Sequence, residues 1–200
     1  MKVLLATNNK HKISEMQSIL TTVFGDGLEI VTPADILEVP LEVEETGATL
    51  EENAYLKAIA LFSTTGIPAI ADDTGLEVHE LNNQPGVTSA RYSGEHGNDA
   101  ANRQKVLTEL SGNLNRNAQF RTVICFHDGV RTLFAEGVCK GEILVEEKGD
   151  KGFGYDSIFV PLGSRHSFAE MSASEKNAIS HRGLALQELV RVFNGYDNAE

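Results

Sequence analysis

The chain has 200 residues, 41% of them hydrophobic and 23% charged, with a net charge of −12. That is enough chain to bury a substantial core in one domain or two fused lobes, and the composition excludes a disordered, collagen-like or coiled-coil protein. The negative charge repels phosphate backbones and argues against DNA or RNA polymers as partners, whereas a small anionic substrate needs only a local basic site and a metal ion.

Residues 2–6 form a short apolar run with the length of a buried strand. A polar loop follows, Thr7-Asn8-Asn9-Lys10-His11-Lys12, and then Ile13, Met16, Ile19, Leu20 and Val23 recur at helical spacing. This strand–loop–helix offers backbone N–H groups and lysine charge to an anion, although the Gly-x4-Gly-Lys spacing of a P-loop is absent. A strand is expected at 29–32, then an aperiodic loop carrying Pro33, Pro40, Glu42, Glu44 and Glu45. Thr49 and Glu52 make a capping-box pattern ahead of a helix whose apolar face is Leu50, Ala54, Ala58, Leu61 and Phe62. Lys57 lies on that helix, one turn beyond Asn53.

Gly66 ends the helix, residues 67–71 read as a strand, and Asp72-Asp73-Thr74-Gly75 follows as a polar turn at the strand's carboxyl end, where open α/β sheets place ligands. Neighbouring strand residues point to opposite faces, so one aspartate can meet a metal ion while the other anchors the loop or positions a water. Glu44 and Glu45 can supply a second ligand from their own loop. A helix is expected over 98–111. Alternation through Phe120, Thr122, Ile124 and Phe126, with Asp128-Gly129 as the turn, predicts a β-hairpin. Cys125 and Cys139 lie in these apolar strands and read as buried free thiols in a reducing compartment.

Further on, Gly152-Phe153-Gly154-Tyr155-Asp156 combines conformational freedom, two aromatic rings that can stack on a base, and a carboxylate that can accept from ligand N–H groups. Lys176 precedes Ser180-His181-Arg182, where a helix capped by Ser180 would place two basic residues in its first turn and run to about 194. No signal peptide or membrane-length apolar run is expected. Early alternation of strands and helices, antiparallel hairpins in the middle and a closing helix predict an α/β fold with a mixed sheet.

Taken together the segments resemble the inosine triphosphate pyrophosphatase family, the Ham1/RdgB-like non-canonical purine nucleoside triphosphate pyrophosphatases. The resemblance rests on Ala6 to Lys12, Glu44-Glu45-Thr46-Gly47 with Glu52-Asn53-Ala54, Ala71 to Leu76, Ser89-Ala90-Arg91-Tyr92-Ser93-Gly94, Gly152 to Asp156, and Ala169-Glu170-Met171 through Lys176 to Arg182. It implies one domain over 1–200 with a two-lobed fold around a long mixed β-sheet flanked by helices, the substrate in a cleft between lobes, and a cytoplasmic homodimer. It also implies hydrolysis of ITP, dITP and XTP to monophosphate and pyrophosphate with Mg²⁺. Asp73 would be the catalytic carboxylate, with Asp72 and Lys57 beside it, and Glu45 and Asp73 the metal ligands. Thr7 to Lys12 and Thr74 would hold the triphosphate. Phe153, Gly154, Tyr155, Asp156, Lys176, His181 and Arg182 would meet the base. Asn8 and His11 stand where bacterial relatives often have glycine, and Thr74 keeps the hydroxyl of a common serine.

Overall fold

In a computed structural model, residues 1–39 and 41–197 are described. Pro40, expected in a loop, and residues 198–200 of the expected 1–200 domain lie outside them. The chain runs β1 (Lys2–Leu5), α1 (Lys10–Phe24), β2 (Glu29–Val31), α2 (Pro33–Ile36), α3 (Leu50–Thr65), β3 (Ala69–Val78), β4 (Gln84–Gly86), α4 (Asp99–Glu109), β5 (Asn117–His127), β6 (Thr132–Ile143), β7 (Phe159–Pro161), α5 (Ala173–Ile179) and α6 (His181–Asp197). The strands form a mixed sheet in the order β2-β1-β3-β5-β6-β7, with β4 paired to β3. β1 pairs in parallel with β2 and β3, and the β3–β4 and β6–β7 pairs are antiparallel. The mixed α/β architecture is the one the sequence pattern predicts.

The chain divides into two compact units, and β3, β5 and β6 each pass from one to the other. The first comprises Met1–Asp73, Thr122–Gly137 and Arg182–Glu200. Its core joins Val3 and Leu5 of β1, Met16, Ile19 and Leu20 of α1, Ile124 and Phe126 of β5, and Leu186, Leu189 and Phe193 of α6. Fully burying a leucine or phenylalanine contributes about 1.5–3 kcal/mol, so these helical stripes hold α1 and α6 in place. The second unit comprises Thr74–Arg121 and Val138–His181. It packs Leu76, Val106, Leu110, Phe120, Tyr155, Phe159 and Phe168 around a second core. Among the described residues no helix is long and apolar enough to cross a membrane.

Three local expectations are corrected. Asp72 and Asp73 do not follow a strand that has ended: β3 continues unbroken from Ala69 to Val78 and both lie in its middle. The parallel register with β1 closes at Leu5 opposite Ile70, so the aspartates stand just past the parallel part of the sheet. β3 goes on with β5 beside it in the sheet and with β4 paired from Leu76. Gly75 permits the close approach, since a Cβ there would lie 2.8 Å from the Gly86 carbonyl oxygen. Second, the aperiodic loop contains α2, where the Thr32 amide and hydroxyl both donate to Asp35 Oδ2. Third, α1 begins at Lys10, so Lys10, His11 and Lys12 form its first turn rather than a loop. α3, α4 and α6 match closely: Thr49 caps α3 through Glu52, Gly66 terminates it in the left-handed region, and Asn98 caps α4, whereas α5 is a helix the sequence pattern did not predict. Cys125 and Cys139 are both buried and free.

Candidate active site

The capping box that starts α3 sets which of its residues face inward. Asn53 and Lys57, one helical turn apart, share a buried face with Leu50, Ala54 and Leu61. Lys57 Nζ lies 2.6 Å from Glu45 Oε1 and 3.1 Å from Asp73 Oδ1, so both carboxylates converge on one ammonium group. The other Asp73 oxygen, Oδ2, accepts from Asn53 Nδ2 at 3.2 Å. Asn53 Oδ1 in turn accepts from the Gly47 amide at 2.8 Å. The fully buried Asn53 therefore ties the backbone of the Glu45 loop to the carboxylate on β3.

Asp72 points into a separate network of the same unit. Lys12 Nζ contacts both of its oxygens, at 3.2 and 3.1 Å, and Arg182 donates to Oδ2 from Nε at 3.1 Å and Nη2 at 3.0 Å. The third arm of Arg182, Nη1, reaches Glu15, one turn beyond Lys12 on α1. Arg182 is 1% exposed and its charge is matched on two sides.

Identical neighbours in sequence thus have opposite electrostatics. Burial holds the Asp73 carboxyl above the ordinary aspartate value, against the pull of Lys57 and Lys12. Burial acts the same way on Asp72, but Lys12 and Arg182 override it and hold that carboxyl far below the usual range. Burial lowers Lys57, yet Asp73 and Glu45 outweigh it and raise the ammonium's pKa. For Lys12 burial prevails over Asp72 and the pKa falls. Paired groups whose environments push them apart suit separate roles, here a proton acceptor at Asp73 and a permanent anion at Asp72.

Among the described residues no cluster of three or more His, Cys, Asp or Glu side chains could hold a metal alone. Glu45 and Asp73 offer two hard oxygen donors, which fits Mg²⁺, an ion that keeps several waters and takes the rest of its shell from substrate phosphates.

At the start of α1, Thr7 Oγ1 accepts from the Asn9 amide at 3.2 Å, and Asn9 Oδ1 accepts from the His11 and Lys12 amides at 3.0 and 3.2 Å. Asn8 Nδ2 donates to the Leu41 carbonyl at 3.5 Å, while Lys10 and His11 project outward. Two amides of the helix start are therefore already capped by Asn9.

The residues expected at the base fall in the second unit, Arg182 excepted. Asp156 Oδ2 accepts from Lys176 Nζ at 2.6 Å and from the Phe153 amide at 2.9 Å. The Lys176 ammonium sits 5.0 Å from the Phe153 ring centroid and 5.6 Å from that of Phe168. Tyr155 is buried and its hydroxyl donates to the Ser89 carbonyl at 2.7 Å. His181 stacks on Phe120, centroids 4.4 Å apart. Thr74 opens this unit on β3, half-buried. Arg182 belongs to the first unit, where the helix that starts at His181 turns its guanidinium onto Asp72 and Glu15.

The Ham1 family model matches residues 3–192. The chain belongs to the Ham1 family. A dITP/XTP pyrophosphatase of Christiangramia forsetii is 47% identical over 195 residues, covering 97% of this chain and all of the relative. One from Aquifex aeolicus is 45% identical over 208 residues and covers both chains completely. Among solved structures, the Staphylococcus aureus Ham1 protein superposes with a TM-score of 0.86 at 36% identity, covering 98% of this chain and 100% of that one. A HAM1 protein from Coxiella burnetii gives 0.86 at 40% identity, covering 98% and 99%.

Within this Ham1 chain, two residues of the network, Asn53 and Glu15, have no role assigned by the sequence motifs. Asn53 carries a signal, a polar residue on the buried face of an amphipathic helix and one turn before Lys57. Glu15 carries a weaker one, its place three residues after Lys12 on α1. Arg182 is readable as basic, but its partner Asp72 lies 110 residues away.

Proposed function

We propose that this chain hydrolyses non-canonical purine nucleoside triphosphates, ITP, dITP and XTP, to the monophosphate and pyrophosphate, and so clears them from the nucleotide pool. The names of its relatives support the substrate class. The observation that carries the chemistry is the convergence of Glu45 and Asp73 on Lys57 Nζ. Two carboxylates and a buried ammonium in one place suit the docking of a polyanion with a divalent ion.

In this reading Glu45 and Asp73 would hold Mg²⁺, which when bound offsets the charge of the triphosphate. A water attacks the α-phosphorus: a bond forms from water oxygen to phosphorus, the bond to the bridging oxygen breaks, and pyrophosphate departs with the electron pair. Asp73 accepts the water's proton, a role that its raised pKa favours. Asn53 fixes the orientation of that carboxylate. Lys57 and Lys12 offset charge on the departing pyrophosphate, with Thr7, Asn8, Asn9, Lys10, His11 and Thr74 around the phosphates. Asp72 serves through Lys12 and Arg182, as a positioning residue. Phe153, Gly154, Tyr155, Asp156, Lys176, His181 and Arg182 would face the base, and the protein works as a cytoplasmic homodimer. A monomer mass in sedimentation equilibrium would remove the last element alone.

The test is a panel of inosine, xanthosine, guanosine, thymidine and uridine triphosphates with Mg²⁺, reading pyrophosphate and orthophosphate separately. Pyrophosphate released from the inosine and xanthosine substrates in preference to the others is expected. Orthophosphate as the product, or preference for a pyrimidine, contradicts the proposal.

A further inference from the structure

Helix α4 has no role in the chemistry above, yet its side chains grip two of the motif loops of the second unit. Asp99 and Arg103, one turn apart on the same face, hold Gly154 from both sides. Asp99 Oδ2 accepts from the Gly154 amide at 2.8 Å, and Arg103 Nη1 donates to the Gly154 carbonyl at 2.8 Å. Gly154 has φ +61°, in the left-handed region that glycine tolerates, so the clamp fixes a backbone turn few residues adopt. Arg103 Nε also meets Glu147 at 2.9 Å, and Glu147 accepts from Ser157 at 2.9 Å, which secures the far end of the same loop.

Asn102 and Lys105, three residues apart on α4, hold the other loop. Asn102, 1% exposed, accepts from the Ser93 amide at 2.7 Å and donates to the Ala90 carbonyl at 3.3 Å. Lys105 donates to the Tyr92 carbonyl at 2.8 Å and lies 4.1 Å from the Tyr92 ring centroid. The two loops are then joined directly by the Tyr155–Ser89 hydrogen bond.

We infer that Asp99 and Arg103 are positioning residues for base selection: they set the backbone of Gly154, and through it the Phe153 ring, against which the purine is read. This rests on the proposed function and deepens it. The clamp also uses up donors. The Gly154 amide is taken by Asp99 and the Phe153 amide by Asp156, so neither is available to the purine's 6-oxo group in this arrangement. Selection at this loop then comes from the place of the Phe153 ring and the Lys176 ammonium beside it.

The experiment measures kcat and KM for inosine and guanosine triphosphates in the wild type and in D99A, D99N, R103A and R103K, with amide hydrogen exchange at residues 153–155 in the same proteins. D99A and R103A are expected to speed exchange at Gly154. They should raise KM for inosine triphosphate and lower the inosine-to-guanosine ratio of kcat/KM by about tenfold, with a smaller change in kcat. D99N keeps an acceptor for the Gly154 amide and should return the ratio toward wild type. An unchanged ratio in both alanine variants overturns the inference, as does an equal loss of kcat for both nucleotides with no change in KM. A wild type that releases no pyrophosphate from any purine triphosphate overturns the proposed function, and the selection role falls with it. An active wild type with unresponsive alanine variants sinks the clamp alone.

Discussion

At Asp72 and Asp73 the same side chain meets two environments because its neighbours differ. A buried carboxylate with Lys12 and Arg182 on it stays an anion, and breaking such a pair leaves an uncompensated charge inside the protein, which is why Arg182 is itself met on two sides. A carboxylate with one lysine and one amide on it is held above its ordinary value by burial. The cysteines show burial acting without a counter-charge. It pushes the Cys125 thiol up to about 12 and the Cys139 thiol up to about 11. Since the thiolate is the nucleophile, raised values leave both thiols protonated and inert at pH 8. Alkylation by iodoacetamide at pH 8 should be slow in the native protein and fast in urea. Rapid modification of either cysteine under native conditions would show that its strand opens locally.

At the scale of elements, α3 carries the most information. Its capping box was legible in sequence and fixes the helix start to the residue, and with it the faces of Asn53 and Lys57. The helix also constrains the loop before it. A Cβ at Gly47 would lie 2.6 Å from Glu52 Cβ and 2.7 Å from Asn53 Oδ1, so the loop can pass only as glycine. G47A should displace the loop, break the bond to Asn53, and reduce pyrophosphate release by roughly tenfold or more, consistent with misplacement of a catalytic group. The same variant should also need more Mg²⁺ for half-maximal rate. Wild-type behaviour in both would mean that the loop has room the structure does not show. β3 was the element least legible in sequence. Asp-Asp-Thr-Gly has the composition of a turn, and it stays extended in a strand that has β5 beside it in the sheet and β4 paired from Leu76. α2 is four residues long, too short for a periodicity signal, although the Thr32 and Asp35 cap was there to be read. Helices with caps and stripes, α1, α3, α4 and α6, needed no tertiary information to be found.

For the molecule as a whole, the mixed α/β sheet followed from the order of strand and helix patterns, and the two-unit division from no local pattern at all. Three of its boundaries fall inside strands, after Asp73, Arg121 and Gly137, and the fourth falls at the start of α6, after His181. The site was legible in parts. The paired aspartates, the first loop and the acidic loop each stood out as residue types suited to phosphate and metal chemistry. Their convergence did not, because it joins residues 12 to 110 positions apart. Arg182 shows the same: its charge was legible in sequence, and its contacts with Asp72 and Glu15, far away in the chain, were not. In a chain of net charge −12, Lys12, Lys57 and Arg182 are gathered in the first unit with Glu15, Glu45, Asp72 and Asp73, so a polyanion docking there would need a divalent cation on the carboxylates to release the lysine charge. The most direct check on that gathering is turnover of inosine triphosphate by D73N at saturating Mg²⁺, with its thermal unfolding recorded beside the wild type. A folded variant slower by at least about a hundredfold is the outcome predicted for a group that takes the proton and holds the metal. Turnover within a few-fold of the wild type would contradict the account.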